Sequence, residues 1–497
     1  PYSAGIGGGG FWLLHQAKDG KTLMLDAREK APSAATATMF LDGKGGVDRD
    51  KATNSPLSAG IPGQAAALDH LARHYGKLPL KATLAPAITF AENGFPSNPV
   101  YTTLATFRAP VLMKNPDSAR IFLADGQPLA NATLRQPELA ATLKALADKG
   151  SDGFYKGEVA QKLVDGVKAG GGIWSLEDLA AYRLVEREPV HFRYRDAEIW
   201  SAPPPSSGGI ALGEMFGMLQ QFDYAGKNSL DRTHLLIEVM RRAYRDRAEY
   251  LGDPDFVDVP VKKLLDPIYL EEIAANISGS HATPSKDLPP VAPPPSGPHT
   301  THFSIIDKDG NRVAATLSIN LPFGCGYTVA GTGVLLNNEM DDFSAQPGTP
   351  NAYGLVGTTA NAIAPGKRPL SSMTPTFMEY GPADHRQLAI IGTPGGSRII
   401  SMVFLGLLEA LDGKNSQAWV DRPRFHHQYL PDVVEYEPGA LPPALTSELD
   451  KRGHKLLETE RPYGDMHAIR WDLLRGTVEA ASDKRRLGSA QVGALPK

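Results

Sequence analysis

Two periodicities divide the chain. Near its start, apolar residues 11–14 and residues 21–25 flank Asp19-Gly20, and this predicts a β-hairpin. Helical spacing then dominates to about residue 280. Leu139, Leu143 and Leu146 recur at i, i+4 and i+7, with Pro137 in the first turn and Gly150 as the stop, so a helix is predicted over 137–150. A second helix is predicted over 234–251, apolar at Leu235 and Val239, with Arg241, Arg242 and Arg245 expected on a solvated basic face. Residues 203–209 (Pro-Pro-Pro-Ser-Ser-Gly-Gly) interrupt the helical pattern and read as a structured loop. Residues 283–298 are Pro-rich and mark a boundary. Beyond it the chain turns β-rich. Residues 299–306 alternate, 307–311 form a turn, and 312–319 alternate again. Val313, Ala315, Leu317 and Ile319 share one face; Ala314, Thr316, Ser318 and Asn320 share the other. A hairpin centred on Asp309 sets Thr300 opposite Ser318, with Asn320 beside them.

Composition narrows the function classes. The 497 residues are 42% apolar and 21% charged, enough for a sizeable core and too apolar for a disordered chain. That length suggests several domains or one large layered fold. The 51 basic residues do not exceed the 55 acidic ones, so nucleic acid is not an expected partner. The single cysteine, Cys325, excludes an internal disulfide framework, a Cys-rich zinc site and an iron–sulfur cluster, and is expected to be a small buried residue. No run of 18 apolar residues or visible signal peptide appears.

Several motifs read as structural. Gly5–Gly10 matches G-x-G-x-x-G, but no strand precedes it, and the glycines are expected to let two backbones approach closely. Asp307-x-Asp309-Gly310 lacks the later glutamate of a calcium loop and reads as a turn. His426-His427 has no evident third ligand, so no metal is expected there.

Longer motifs carry a resemblance. Thr300-Thr-His-Phe with Asp307–Asn311, Gly331–Phe343, Pro365–Met373, Gly392–Arg398 and Arg424–Gln428 are similar to the small subunit of the γ-glutamyltranspeptidases. Gly5–Gly10, Leu25–Pro32 and Pro203–Gly209 are similar to the large subunit, in the same order. The resemblance implies an N-terminal-nucleophile hydrolase: an α+β fold in a four-layer αββα sandwich, made as one chain and cut autocatalytically between His299 and Thr300. Residues 1–299 then form the large-subunit portion and 300–497 the small-subunit portion, intertwined in one fold. It implies a periplasmic or secreted enzyme without cofactor or metal.

A threonine hydroxyl is a weak nucleophile and needs a base. Cleavage before Thr300 frees an α-amine, of ordinary pKa about 7.7–8.0, on the nucleophile itself. The resemblance implies that Thr300 attacks the γ-carbonyl of glutathione or another γ-glutamyl compound. The ester intermediate then passes to water, or to an amino acid or peptide. Ser318, which replaces the more usual threonine, supports the Thr300 hydroxyl. Gly395 and Gly396 provide amides for the oxyanion. Arg28, in a motif where Ala27 replaces a common glycine, binds the α-carboxylate with Ser371 and Ser372, a planar guanidinium matching a carboxylate. Asn320, Glu339 and Asp342 accept from the α-ammonium, and Tyr353 gates a lid loop over 344–354. Two alternatives remain at this point: a glutaryl-cephalosporin-type acylase, disfavoured by Asp342 and the lid, and an unprocessed binding protein that keeps the pocket.

Overall fold

A computed structural model describes residues 2–288 and 300–493. His299 and most of the Pro-rich stretch lie outside these residues. Two antiparallel sheets form the centre. One holds five strands in the spatial order 301–306, 312–318, 9–16, 21–27, 185–187. The other holds six, in the order 478–482, 467–472, 387–392, 376–380, 197–201, 190–194. Each sheet takes strands from both sides of residue 300.

Strand alternation explains the layering. In strand Gly9–Gln16, Phe11 and Leu13 point to one face, where with Met24 and Ala314 they pack on Phe377, Leu388, Ile390 and Ile469 of the second sheet. Trp12 and Leu14 point the other way and meet Leu25, Leu317 and residues Ala67 and Leu71 of helix Gln64–His74. The outer face of the second sheet, through Ile199, Met378, Ala389 and Ile391, is covered by helices Gly208–Leu219, Ser229–Tyr250 and Ile399–Leu411. The result is the α+β, αββα arrangement expected.

The glycine run does what close approach requires. A Cβ on Gly8 would lie 2.0 Å from the Ser318 carbonyl oxygen, and one on Gly10 would lie 2.5 Å from that of Thr316. Strand Gly9–Gln16 can therefore press against strand Arg312–Ser318, pairing Gly9 with Ser318. The hairpin that follows residue 300 pairs Thr301 with Leu317 and His302 with Thr316, the register expected from the turn.

The helix over 137–149 forms as predicted, with Gly150 at φ 63° beyond its last residue. The loop 203–209 is shorter than expected, because Gly208 and Gly209 already open a helix. The predicted basic face is corrected. Arg241 and Arg242, in helix Ser229–Tyr250, are buried, not solvated. The buried Glu238 carboxylate accepts from Arg242 (2.6 Å) and Arg241 (3.3 Å), and Arg241 also pairs with Asp432 and donates to Ser285 Oγ at 2.8 Å. The helix is covered by later segments that bring these partners. Arg245 alone remains partly exposed, paired with Asp246.

Burial alone would raise the Glu238 pKa, but Arg241 and Arg242 outweigh it and hold the carboxyl at about 2. A depressed carboxyl stabilises the fold above its ordinary value of 4.5, and that contribution is lost as pH falls toward about 2. Glu238→Gln leaves two buried guanidinium groups short of a counter-ion. It should cost about 3–5 kcal/mol at neutral pH and flatten the acid limb, both read from urea midpoints measured between pH 7 and pH 3.

Candidate functional site

The hairpin and three loops meet at one cavity. Thr300, Ser318 and Asn320 form one wall, Glu339 and Asp342 a second, Ser371 and Ser372 a third, with Tyr353 and Gly396 bordering it.

Thr300 is buried to 5% exposure and precedes strand Thr301–Ile306. Continuing the register sets it across from Ser318. The Ser318 hydroxyl accepts the Asn320 amide at 2.7 Å, which turns the chain sharply into Asn320 at φ 69°. Left-handed backbone suits an asparagine better than most residues. Asn320 Nδ2 donates to the Asn338 carbonyl at 2.9 Å, while its buried Oδ1 has no donor among the described residues.

The acidic run Glu339–Asp342 forms a single 3-10 turn. Arg28 stands behind it, fully buried, and does not line the cavity. Its two Nη atoms pair with Glu339 and Asp342, and its Nε donates to the Pro369 carbonyl at 3.1 Å. Sequence reasoning expects this arginine to face a ligand carboxylate; here it holds two protein carboxylates. Burial lowers the Arg28 pKa, but Glu339, Asp342 and Glu29 outweigh it and keep it above its ordinary value. Burial raises Glu339 to about 7, and Glu339 Oε2 is buried without a donor. Glu29, beside Arg28, is also fully buried, and burial pushes its carboxyl well above the ordinary range.

Ser371 and Ser372 are set by the Pro203–Gly209 segment. The Ser371 carbonyl accepts Ser207 N (2.9 Å) and Ser207 Oγ (2.8 Å), and the Ser371 amide donates to Pro205 O at 2.8 Å. Two motifs far apart in sequence thus build one wall. Ser372 Oγ accepts from Arg247 Nη2 at 3.1 Å.

The Gly395-Gly396 turn joins strand Gln387–Gly392 to helix Ile399–Leu411. Gly396 has φ 58°, and a Cβ there would meet the Tyr353 ring at 2.5 Å. Only glycine gives this turn and this contact together. Neither amide donates to a backbone carbonyl among the described residues, so both suit a ligand oxygen.

The loop carrying Tyr353 is tied to the acidic turn. Asn351 Nδ2 donates to Asp342 at 3.1 Å, the Ala352 amide donates to Asp341 at 2.9 Å, and Gln428 Nε2 donates to the Tyr353 carbonyl at 3.2 Å. Tyr353 is 5% exposed and seals the cavity beside Gly396. His426 and His427 are structural: they bond Ser401 and Gln428, and Asp432, respectively. Burial pushes the Cys325 thiol up to about 12. The described residues contain no His, Cys, Asp and Glu group able to hold a metal ion.

Arg247 is the charged lining residue that sequence reasoning missed. A signal was present: Met240, Tyr244, Arg247 and Leu251 fall on one helical stripe, and the other three are buried.

Comparison with known proteins agrees with this arrangement. The sequence model of one family, gamma-glutamyltranspeptidase, matches residues 1–493. A glutathione hydrolase proenzyme of Escherichia coli K12 is 43% identical over 99% of this chain and 85% of its own length. An acylase ACY 1 proenzyme of Pseudomonas sp. SE83 is 35% identical over 98% of this chain and 86% of its own. Among solved structures, a cephalosporin acylase from Bacillus halodurans superposes with a TM-score of 0.85 at 28% identity, covering 100% of this chain and 89% of the other. Helicobacter pylori gamma-glutamyltranspeptidase gives 0.56 at 37% identity, covering 57% of this chain and 82% of the other. With a family match along nearly its whole length and a relative at 43% identity, the chain belongs to the gamma-glutamyltranspeptidase family.

Proposed function

We propose that this protein is a γ-glutamyltransferase and glutathione hydrolase that matures by cleavage before Thr300. The observation that carries the reading is the complement of unsatisfied polar atoms in the Thr300 cavity. Asn320 Oδ1 and Glu339 Oε2 are buried acceptors without donors, as an α-ammonium requires. Ser371 and Ser372 offer hydroxyls to an α-carboxylate on another wall. A γ-glutamyl group bears both charges on one carbon, with its γ-carbonyl two methylenes away. Seated by those charges, it presents that carbonyl to the Thr300 hydroxyl.

The freed α-amine takes the hydroxyl proton as Oγ bonds the γ-carbonyl carbon. The Gly395 and Gly396 amides hold the oxyanion, and the amine then passes the proton to the leaving nitrogen. Collapse gives the ester and releases the amine product. Water or an acceptor amine repeats the sequence in reverse. Arg28 reaches the donor carboxylate by giving up a carboxylate partner, which the incoming ammonium takes over. That exchange keeps every buried charge paired.

Thr300 also borders a second cavity, lined by Tyr2, Asn98, Asp465, His467 and Arg486 among others. Asp465 Oδ1 is buried and accepts no hydrogen bond among the described residues, with His467 Nε2 3.8 Å away, and Asp465 and Arg486 offer opposite charges to an amino-acid or peptide acceptor. We place the acceptor there. The family resemblance supports a periplasmic or secreted location. No helix among the described residues is long and apolar enough to cross a membrane.

The 53.3 kDa chain should resolve by intact mass into two fragments, the smaller beginning at Thr300 on N-terminal sequencing. Thr300→Ala should stay whole and release no p-nitroaniline from γ-glutamyl-p-nitroanilide; activity retained in that variant would transfer the role to Thr301. Glutamate inhibition should weaken as pH falls through about 7, because protonated Glu339 no longer attracts the ammonium. Glu339→Gln should remove that pH component, read from inhibition constants between pH 5.5 and pH 8.5. Asp465→Asn should lower the ratio of transfer to hydrolysis with glycylglycine by about tenfold, the scale of one lost charge-assisted contact; an unchanged ratio would place the acceptor elsewhere.

A further inference from the structure

Three consecutive residues of the lid loop are bound to groups outside it. Asn351 Nδ2 donates to Asp342 at 3.1 Å, and the Ala352 amide donates to Asp341 Oδ2 at 2.9 Å. The Pro350 carbonyl accepts from Arg49 Nη2. Arg49 Nη1 lies 3.5 Å from Asp341 Oδ1, the only ion pair of Asp341 among the described residues. One guanidinium thus bridges the lid backbone and the acid that binds the Ala352 amide.

Arg49 rises from a fixed base. It opens helix Arg49–Thr53, where Asp48 caps the Lys51 amide at 3.0 Å. Ala52 packs in one apolar cluster with Met340 and Phe343, and the Thr53 carbonyl accepts Asn338 Nδ2 at 3.0 Å. The helix is therefore held against the acidic turn independently of the lid. Asp341 itself is buried, which pushes its carboxyl up to about 7, and Arg49 acts against that rise. A buried carboxylate is costly unless paired, so Arg49 keeps Asp341 charged as an acceptor for the lid.

The two cavities at Thr300 differ in their relation to this loop. Tyr353 borders the donor cavity, and no residue of the loop 344–354 lines the second cavity, where the acceptor is placed. Loosening the lid admits water on the donor side and leaves the acceptor's path as it was.

We propose that Arg49 is a positioning residue that latches the lid over the γ-glutamyl ester and so sets how that ester divides between water and an amine acceptor. The proposal rests on the γ-glutamyl reading above and extends it to a residue outside both cavities. Arg49 touches neither ligand. It acts through Pro350 and Asp341, and it lies in the segment before residue 300 while the lid lies after it. Cleavage before Thr300 makes the latch a tie between the two products.

The test uses the mature enzyme and Arg49→Met, which keeps side-chain length and removes the charge and the donors. Hydrogen exchange read by mass spectrometry should quicken by about tenfold in peptides spanning 346–355, the scale of one lost charge-assisted hydrogen bond. Strand Thr301–Ile306 should exchange as in wild type. With γ-glutamyl-p-nitroanilide and glycylglycine, the ratio of γ-glutamyl-glycylglycine to glutamate should fall by about threefold or more, with KM for glycylglycine within about twofold of wild type. Unchanged lid exchange overturns the proposal, and so does faster exchange with an unchanged product ratio. A ratio change carried by KM for glycylglycine places the effect in the acceptor cavity and overturns it too, as does faster exchange throughout the chain. If Arg49→Met fails to mature, Arg49→Lys decides on the same readouts, because an ammonium lacks the fork that spans the carbonyl and the carboxylate. Faster lid exchange with a lower ratio supports the proposal, and either readout unchanged overturns it. Wild-type enzyme that releases nothing from the γ-glutamyl anilide would instead remove the functional reading, while lid exchange would still report on the latch.

Discussion

The close pairing of strand Gly9–Gln16 with strand Arg312–Ser318 is the constraint on which the site depends. Side chains at Gly8 and Gly10 would collide with carbonyl oxygens of the neighbouring strand. Without them the two strands approach, and Ser318 is locked between Gly9 on one side and the Thr300 end of the hairpin on the other. A one-residue slip would turn Ser318 and Thr316 to the opposite face. The apolar contacts that fill both faces of the sheet resist that slip. The placement of Thr300 is thus a consequence of sheet packing.

Electrostatics imposes the second constraint. Arg28, Glu29, Glu339 and Asp342 share a nearly water-free volume. One guanidinium cannot neutralise three carboxylates, and burial responds by raising the pKa values of Glu29 and Glu339. Such a cluster is poised: on the proposed reading, a ligand cation at Glu339 or Asp342 relieves the excess negative charge. The lid takes part, because Asn351 and Ala352 bond Asp342 and Asp341 directly.

Local sequence made the fold's hairpins legible. The Asp307–Asn311 turn specifies itself, with Asp307 Oδ1 accepting the Asp309 and Asn311 amides, so the register of everything beyond it could be counted. Long motifs identified which residues meet at the cavity. What stayed hidden were partners distant in sequence. The Arg241 counter-ion Asp432 lies 191 residues away, so a helix face that reads as basic and solvated is in fact buried and neutralised. The resemblance sets Arg28 at a ligand carboxylate; nothing local to Asp26–Glu29 says that Glu339 and Asp342 pair with it too. Arg247 was legible only by its stripe on the helix, which an all-round buried helix obscures.

Fold likeness does not separate the two enzyme classes that this chain resembles. Its backbone superposes with a TM-score of 0.85 on a cephalosporin acylase. The separation lies in a few polar atoms. A glutaryl group would fill the cavity and satisfy the carboxylate wall, but it has no ammonium. Asn320 Oδ1 and Glu339 Oε2 would stay buried without donors, at about 1–3 kcal/mol for each such group. A γ-glutamyl group donates to both. On the proposed reading the discrimination resides in groups that the site leaves unsatisfied, with Arg28 pairing Glu339 and Asp342. Loss of the Glu339 carboxylate would lessen the need for the ammonium while leaving Thr300, Ser318 and the glycine turn intact, which is a short physical route between γ-glutamyl and glutaryl specificity on one scaffold.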